Sequence, residues 1–181
     1  DGDLVTVKLG GKAGIATVYL TDPDGDGHGP IEWIDLAGAR PDKSILSLTV
    51  KKPKGGTGDG RATLAELSGT GLKSLTAATT DLTGPGIHPD GYLGLLRLGN
   101  IGGGADILLT GTPPSTIRHP AVRITAGVIG DGTDITVANA PLASLTAIAV
   151  GDGTVTAPSV GTILVKGKAK TRTAAAIPGD F

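Results

Sequence analysis

Short runs of Ile, Val, Leu and Thr, broken by glycine-rich turns, organise the chain. The clearest stretch runs from Leu96 to Val150, where one pattern occurs three times. It reads Leu96-Arg-Leu-Gly-Asn-Ile-Gly-Gly-Gly-Ala-Asp-Ile-Leu-Leu, then Ile124-Thr-Ala-Gly-Val-Ile-Gly-Asp-Gly-Thr-Asp-Ile-Thr-Val, then Leu145-Thr-Ala-Ile-Ala-Val-Gly-Asp-Gly-Thr-Val-Thr. In each copy a second aliphatic residue follows the first five positions later (Ile101, Ile129, Val150). A Gly-Gly-Gly or Gly-Asp-Gly turn and another β-prone run come next. The copies start 28 and then 21 residues apart, the range of one coil in a repeat protein.

Runs of about four to seven β-branched and aliphatic residues suit strands and are too short for ordinary helices. Gly-Asp-Gly makes a corner, because Gly accepts positive φ and Asp can hydrogen-bond its own backbone. A single coil of this kind cannot bury its apolar face, but stacked coils cover one another at a strand spacing of ~4.8 Å. The pattern therefore predicts an all-β, single-domain parallel β-solenoid.

Taken in order, Leu4–Leu9 and Ile15–Leu20 alternate around Gly10-Gly-Lys-Ala-Gly and predict a β-hairpin that caps the first coil. Residues 1–30 are thus expected to hold this hairpin and an aspartate-rich loop, 31–167 the stacked coils, and 168–181 a tail or linker. Strands are predicted at Ile31–Leu36 and Ile45–Val50, with a basic loop from Lys51 to Gly60. Leu72-Lys-Ser-Leu-Thr-Ala nearly matches Leu142-Ala-Ser-Leu-Thr-Ala, which favours one continuous array. A short helix over Leu72–Leu82 is the alternative, since Leu72 and Leu75 also have helical spacing. Gly84–Gly91 and Thr110–Pro120 are read as proline-punctuated excursions, the second accounting for the longer repeat step. Val160–Lys168 contains the last clear strand.

Composition narrows the picture. With 31 Gly, one Trp, two Tyr, one Phe, no Met and a mean hydropathy of +0.15, the core must be built from aliphatic residues and Ala, and the chain is expected to fold. Zero Cys removes disulfides and thiolate chemistry. A net charge of −1 offers no basic field for nucleic acid, and no apolar run approaches the ~18–20 residues of a membrane helix. Asp1 in place of an initiator Met is expected of a mature product or of a piece of a longer chain.

The strongest candidate for chemistry is Asp22-Pro-Asp24-Gly-Asp26-Gly27, the opening of a calcium loop, in which alternating carboxylates converge hard oxygens on a cation. Its distal half is missing: the twelfth position is Trp33, so Glu32 or Asp35 would have to close a site of another type. The plainer reading is a solvated Asp-Gly turn. The Gly-Asp-Gly corners at Asp59, Asp131 and Asp152 would form an acidic ladder if they stacked, but corner geometry suffices to explain them. His28, His88 and His119 are read as lying in Gly/Pro loops, none with a second His at zinc-ligand spacing. A polysaccharide lyase or glycoside hydrolase would need paired carboxylates beside an aromatic-floored groove, and only Trp33 and Tyr92 suggest themselves as sugar platforms. No catalytic residues are assigned. Thr-x-Thr pairs at Thr110, Thr154 and Thr171 are too irregular for an ice-binding face.

Asp22-Pro-Asp-Gly-Asp-Gly-His-Gly-Pro-Ile, Leu72-Lys-Ser-Leu, Gly91-Tyr-Leu-Gly-Leu-Leu and Gly130-Asp-Gly-Thr-Asp-Ile-Thr resemble segments of very large secreted or cell-surface bacterial β-helix proteins. The resemblance implies a right-handed parallel β-helix and an extracellular or cell-surface setting, with no activity attached. The expectation is a structural or spacer module that joins neighbouring modules or identical subunits through its ends, in its sharper form as a fibre. The alternative is a calcium-dependent adhesion or glycan-binding module using Asp22, Asp24 and Asp26.

Overall fold

A computed structural model describes residues 2–11, 13–22, 25 and 29–167. Asp24, Asp26 and His28 of the aspartate loop, and the expected tail from Lys168 to Phe181, lie outside the described residues. Among the described residues the chain is all β, with no helix. In chain order the strands are β1 (Leu4–Gly10), β2 (Ile15–Leu20), β3 (Ile31–Ala37), β4 (Ile45–Lys51), β5 (Ala62–Gly69), β6 (Leu72–Ala77), β7 (Thr80–Pro89) and β8 (Leu93–Leu98). They continue as β9 (Asp106–Leu109), β10 (Val122–Thr125), β11 (Val128–Ile129), β12 (Ile135–Val137), β13 (Leu142–Ala147), β14 (Ala149–Val150), β15 (Val155–Thr156) and β16 (Val160–Val165).

Two seven-stranded sheets result. Sheet 1 runs β1-β4-β6-β8-β10-β13-β16 and sheet 2 runs β2-β3-β5-β7-β9-β12-β15, with β11 and β14 as a separate short pair. From β3 onward the chain alternates between the two sheets, apart from the short β11 and β14, and from β5 onward each new strand lies parallel to its predecessor in the same sheet. Leu72–Ala77 is a strand, so the helical alternative there is not realised.

Register turns the sequence repeat into columns of aliphatic side chains. In sheet 1, Leu9, Leu46, Leu75, Leu96, Ile124, Leu145 and Ile163 are successive cross-strand partners. In sheet 2 the column is Val18, Ile34, Leu67, Ile87, Ile107, Ile135 and Val155. A third column, Leu20, Ile31, Leu64, Leu82, Ile101, Ile129 and Val150, is carried by sheet 2, by isolated bridges and by the β11–β14 pair. The repeat positions Leu96/Ile124/Leu145 and Ile101/Ile129/Val150 therefore do stack. Leu46, Leu64, Leu67, Leu75, Leu82, Leu93 and Ile107 are fully buried, and each such side chain contributes roughly 1.5–3 kcal/mol of transfer free energy.

Two expectations are corrected. β1 and β2 form no hairpin: β1 pairs antiparallel with β4 and β2 antiparallel with β3, so each borders a different sheet. The intervening glycines explain this. Gly11 and Gly14 have φ of 98° and 96° and lie against the backbones of Lys43–Ser44 and Ala39. They carry the chain across from sheet 1 to sheet 2, and the Ser44 hydroxyl donates to the Ala13 carbonyl at 3.0 Å to hold that crossing. Val5, Val7 and Leu9 then pack on the core from one sheet while Ala16 and Val18 do so from the other. The second correction concerns Gly84–Gly91, which is largely strand: β7 runs through to Pro89. Pro85 falls where the β5–β7 register shifts, a bulge in which its missing N–H costs no ladder hydrogen bond. The Thr110–Pro120 excursion does lie outside the strands, anchored by Tyr92, whose hydroxyl donates to the Ala121 carbonyl at 2.7 Å and accepts the Ala121 N–H at 3.0 Å. Burial pushes the Tyr92 phenol up from its ordinary pKa.

Candidate functional site

Side chains on the corners tie each strand layer to the next. Asp81 accepts the N–H of Asn100, whose own side-chain oxygen accepts the N–H of Val128 at 2.9 Å. Asp106 accepts the Asp134 N–H at 3.0 Å, and Asp134 accepts both the N–H and the hydroxyl of Thr154, at 2.9 and 2.6 Å. The Thr154 bonds hold the Asp134 carboxyl below the usual carboxylate range. Asp131 accepts the Asp152 N–H at 3.1 Å, so these two Gly-Asp-Gly corners do stack. Asp59 does not join them, because its corner precedes β5 and its carboxylate accepts the nearby Arg61 N–H at 2.8 Å. Most of the acidic corners are thus hydrogen-bonded staples.

Two surface grooves lie against β3 and β5. The larger, about 540 Å³, is lined by Asp3, Pro30, Ile31, Asp59, Arg61 and Asp81 among others. Its charged side chains are bonded within the protein. Arg61 forms an ion pair with Asp81, and Asp3 accepts the Gly60 N–H at 2.6 Å. Burial pushes the Asp81 carboxyl up, but the Arg61 guanidinium and the Asn100 N–H outweigh it, and the net shift is downward. This groove is built as a staple between the first residues and the β5 corner.

The smaller groove, about 340 Å³, is lined by Tyr19, Glu32, Trp33, Ala65, Glu66 and Pro85. Ile31 and Ile34, like Leu64 and Leu67, both point into the core, which pushes Glu32-Trp33 and Ala65-Glu66 outward at the same corner. Tyr19, Trp33 and Glu66 are direct cross-strand partners. The Tyr19 and Trp33 rings stack with centroids 4.7 Å apart at 14°, and the Trp33 indole N–H donates to the Ser68 hydroxyl at 2.7 Å. The result is a rigid aromatic surface edged by two carboxylates.

The sequence-derived candidates fare unevenly. Asp22 accepts the Gly25 N–H at 2.9 Å, as an Asx turn does, while its two loop partners lie outside the described residues. Glu32 accepts the Thr21 hydroxyl at 3.4 Å. Among the described residues no group of three or more His, Asp or Glu side chains is placed to hold a metal ion. Tyr92 is buried beneath the Thr110–Pro120 excursion, so it is no partner for Trp33, and His88 lies within β7 rather than in a loop. Tyr19 and Glu66 were missed. The outward phase of Thr17 and Tyr19 against Ala16 and Val18, and the shared Ile-x-x-Ile and Leu-x-x-Leu spacing, were the available signals. No helix of the described residues is long and apolar enough to cross a membrane, which leaves strands unaddressed. Compared with models of protein families, with curated proteins and with solved structures, the chain matches none.

Proposed function

We propose that the chain is a right-handed parallel β-helix acting as a structural spacer of a secreted or cell-surface protein, joined end to end with neighbouring modules or identical subunits. The observation that carries this reading is the set of three aliphatic columns running through successive strands, with corner side chains bonded to the next layer. Strict alternation between sheets with parallel pairing supports a helical winding, and parallel crossovers are right-handed in nearly all proteins. Stacked layers contact only their neighbours, which suits a stiff element that transmits length rather than chemistry. At each end a strand of each sheet has one partner among the described residues: β1 and β2 at one end, β15 and β16 at the other. Exposed strand edges of this kind recruit further strands. Small-angle X-ray scattering over a concentration series is expected to show an elongated particle whose cross-section stays constant while its length grows. A compact particle of invariant length at every concentration would refute end-to-end joining.

A second reading, a glycan-binding module, is favoured by the Tyr19–Trp33 surface with Glu32 and Glu66 at its rim. Aromatic faces accept the polarised C–H bonds of a pyranose, and carboxylates accept its hydroxyls. Trp33 is the single tryptophan of the chain, so its fluorescence reports this groove alone. The reading predicts a saturable change with at least one neutral oligosaccharide, abolished by Tyr19→Ala. A flat response across a broad panel removes it.

A further inference from the structure

Beneath the net charge of −1, the strands of the two sheets differ in the sign of the charges they carry. The strands of sheet 1 carry Lys8, Lys51, Lys73, Arg97 and Arg123 and no acidic residue. The strands of sheet 2 carry Glu32, Asp35, Glu66, Asp81 and Asp106 and neither Lys nor Arg. Immediately outside those strands, Asp134 precedes β12 and Arg61, paired with Asp81, precedes β5.

Of the carboxylates, Glu32 and Asp134 are exposed and Asp35, Glu66, Asp81 and Asp106 half-buried, and Asp81, Asp106 and Asp134 also accept hydrogen bonds from the next layer. The five basic side chains of sheet 1 are all exposed. Among the described residues the ion pairs are Arg40–Asp42 and Arg61–Asp81, so of both sets only Asp81 has an ionic partner. The arrangement is also periodic along the stack. In sheet 1 the first strands in order, β1, β4, β6, β8 and β10, each carry one cation. In sheet 2, β3, β5, β7 and β9 are acidic in succession, with Asp134 at the next position. Both series advance by the same strand spacing, ~4.8 Å. Two molecules lying side by side with parallel axes would therefore bring cation against carboxylate over several consecutive layers.

We propose that sheet 1 of one molecule docks on sheet 2 of a second copy, joining these modules laterally through a basic face and an acidic face. The occupant follows from charge complementarity within the chain itself: consecutive strands of each face carry the countercharge that the other face lacks, with Lys8 and Arg97 in one register row and Lys51 and Arg123 in others. Thr76, Thr125 and Thr146 share the row of sheet 1 with Lys8 and Arg97, so hydroxyl groups capable of bonding carboxylates flank Arg97. Because the two faces differ, the contact is heterologous and repeats without closing, giving ribbons rather than dimers. It uses surfaces other than the stack ends and does not depend on end-to-end joining.

Sedimentation velocity of the whole chain tests this at about 10 mM and about 500 mM NaCl, where the screening length falls from ~30 Å to a few ångströms. Association at low salt that is lost at high salt is expected. Arg97→Glu with Arg123→Glu, and separately Glu32→Lys with Glu66→Lys, should each abolish it at unchanged circular dichroism, and mixing the two double variants should restore it. Lys52→Glu with Lys54→Glu changes net charge equally in a loop off both faces, and should leave association intact. Monomers at low salt overturn the proposal. So does association that survives either face reversal, which would assign it to the ends or to another surface, and so does equal loss in the loop variant, which would reduce the effect to net charge.

Discussion

Replacing Leu96 by alanine is expected to lower the unfolding free energy by about 2–5 kcal/mol, toward the upper part of that range. Leu96 is fully buried at the centre of the sheet 1 column, paired with Leu75 on one side and Ile124 on the other. The cost depends on how far the surroundings can collapse into the space left behind. Here they have little freedom, because β8 is held by ladder hydrogen bonds to β6 and β10, and the column neighbours are fixed by their own strands. Leu108→Ala is the matched control: it removes the same atoms from a side chain that is 41% exposed, and less than about 1 kcal/mol is expected. Urea unfolding followed by circular dichroism distinguishes them, with the midpoint shifted and the slope unchanged. Similar losses for the two variants would mean that the columns do not form the core.

The second large effect is expected at Gly86, where alanine should cost about 2–6 kcal/mol. Gly86 has φ of 124°, a conformation that L-residues adopt only with strain of ~1–3 kcal/mol. A Cβ there would also lie 1.9 Å from the Asp106 carbonyl oxygen and 2.7 Å from the Asp106 nitrogen. Those atoms belong to the paired strand β9, so the clash can be relieved only by moving the β7–β9 ladder, a further ~1–3 kcal/mol. Gly55→Ala separates the two contributions: its φ is 82°, but nothing lies within 4 Å of the added carbon, so only the backbone strain remains. Hydrogen exchange should show lost protection in β7 and β9 for the Gly86 variant and no local change there for the Gly55 variant. Retained protection in β9 would show that the clash is relieved without moving the β7–β9 ladder.

The regular part of the fold was legible because its signal is local. Each copy between Leu96 and Val150 places an aliphatic residue, five positions of chain and a glycine corner in the same order. The corners leave the strands no choice of phase, and Leu96, Ile124 and Leu145 meet accordingly. The start of the chain was misread because pairing is not local. Two alternating runs around Gly10–Gly14 satisfy every short-range rule for a hairpin. What decides the matter is the presence of two open sheet borders, which only the assembled β3 and β4 provide. Pro85 misled in the same way, since a proline reads as a break unless the partner strand offers a bulge to receive it. For the candidate site, the aspartate pattern drew attention to a loop, whereas the aromatic surface depends on which residues face each other across β2, β3 and β5. Tyr19 and Trp33 are fourteen positions apart with a glycine-rich loop between them, and nothing short of register brings their rings together.

The tolerance of the array for unequal steps has a practical meaning. Leu96 to Ile124 takes 28 residues and Ile124 to Leu145 takes 21, yet each step advances the column by one strand. The difference is absorbed mainly in the Thr110–Pro120 excursion, which leaves the stack and returns to it under the Tyr92 hydroxyl. Axial position is thus counted in layers and is independent of contour length. A foreign peptide spliced near Ser115 would be carried at a fixed height and azimuth, like a flag on a numbered mast, while the layers above and below keep their spacing.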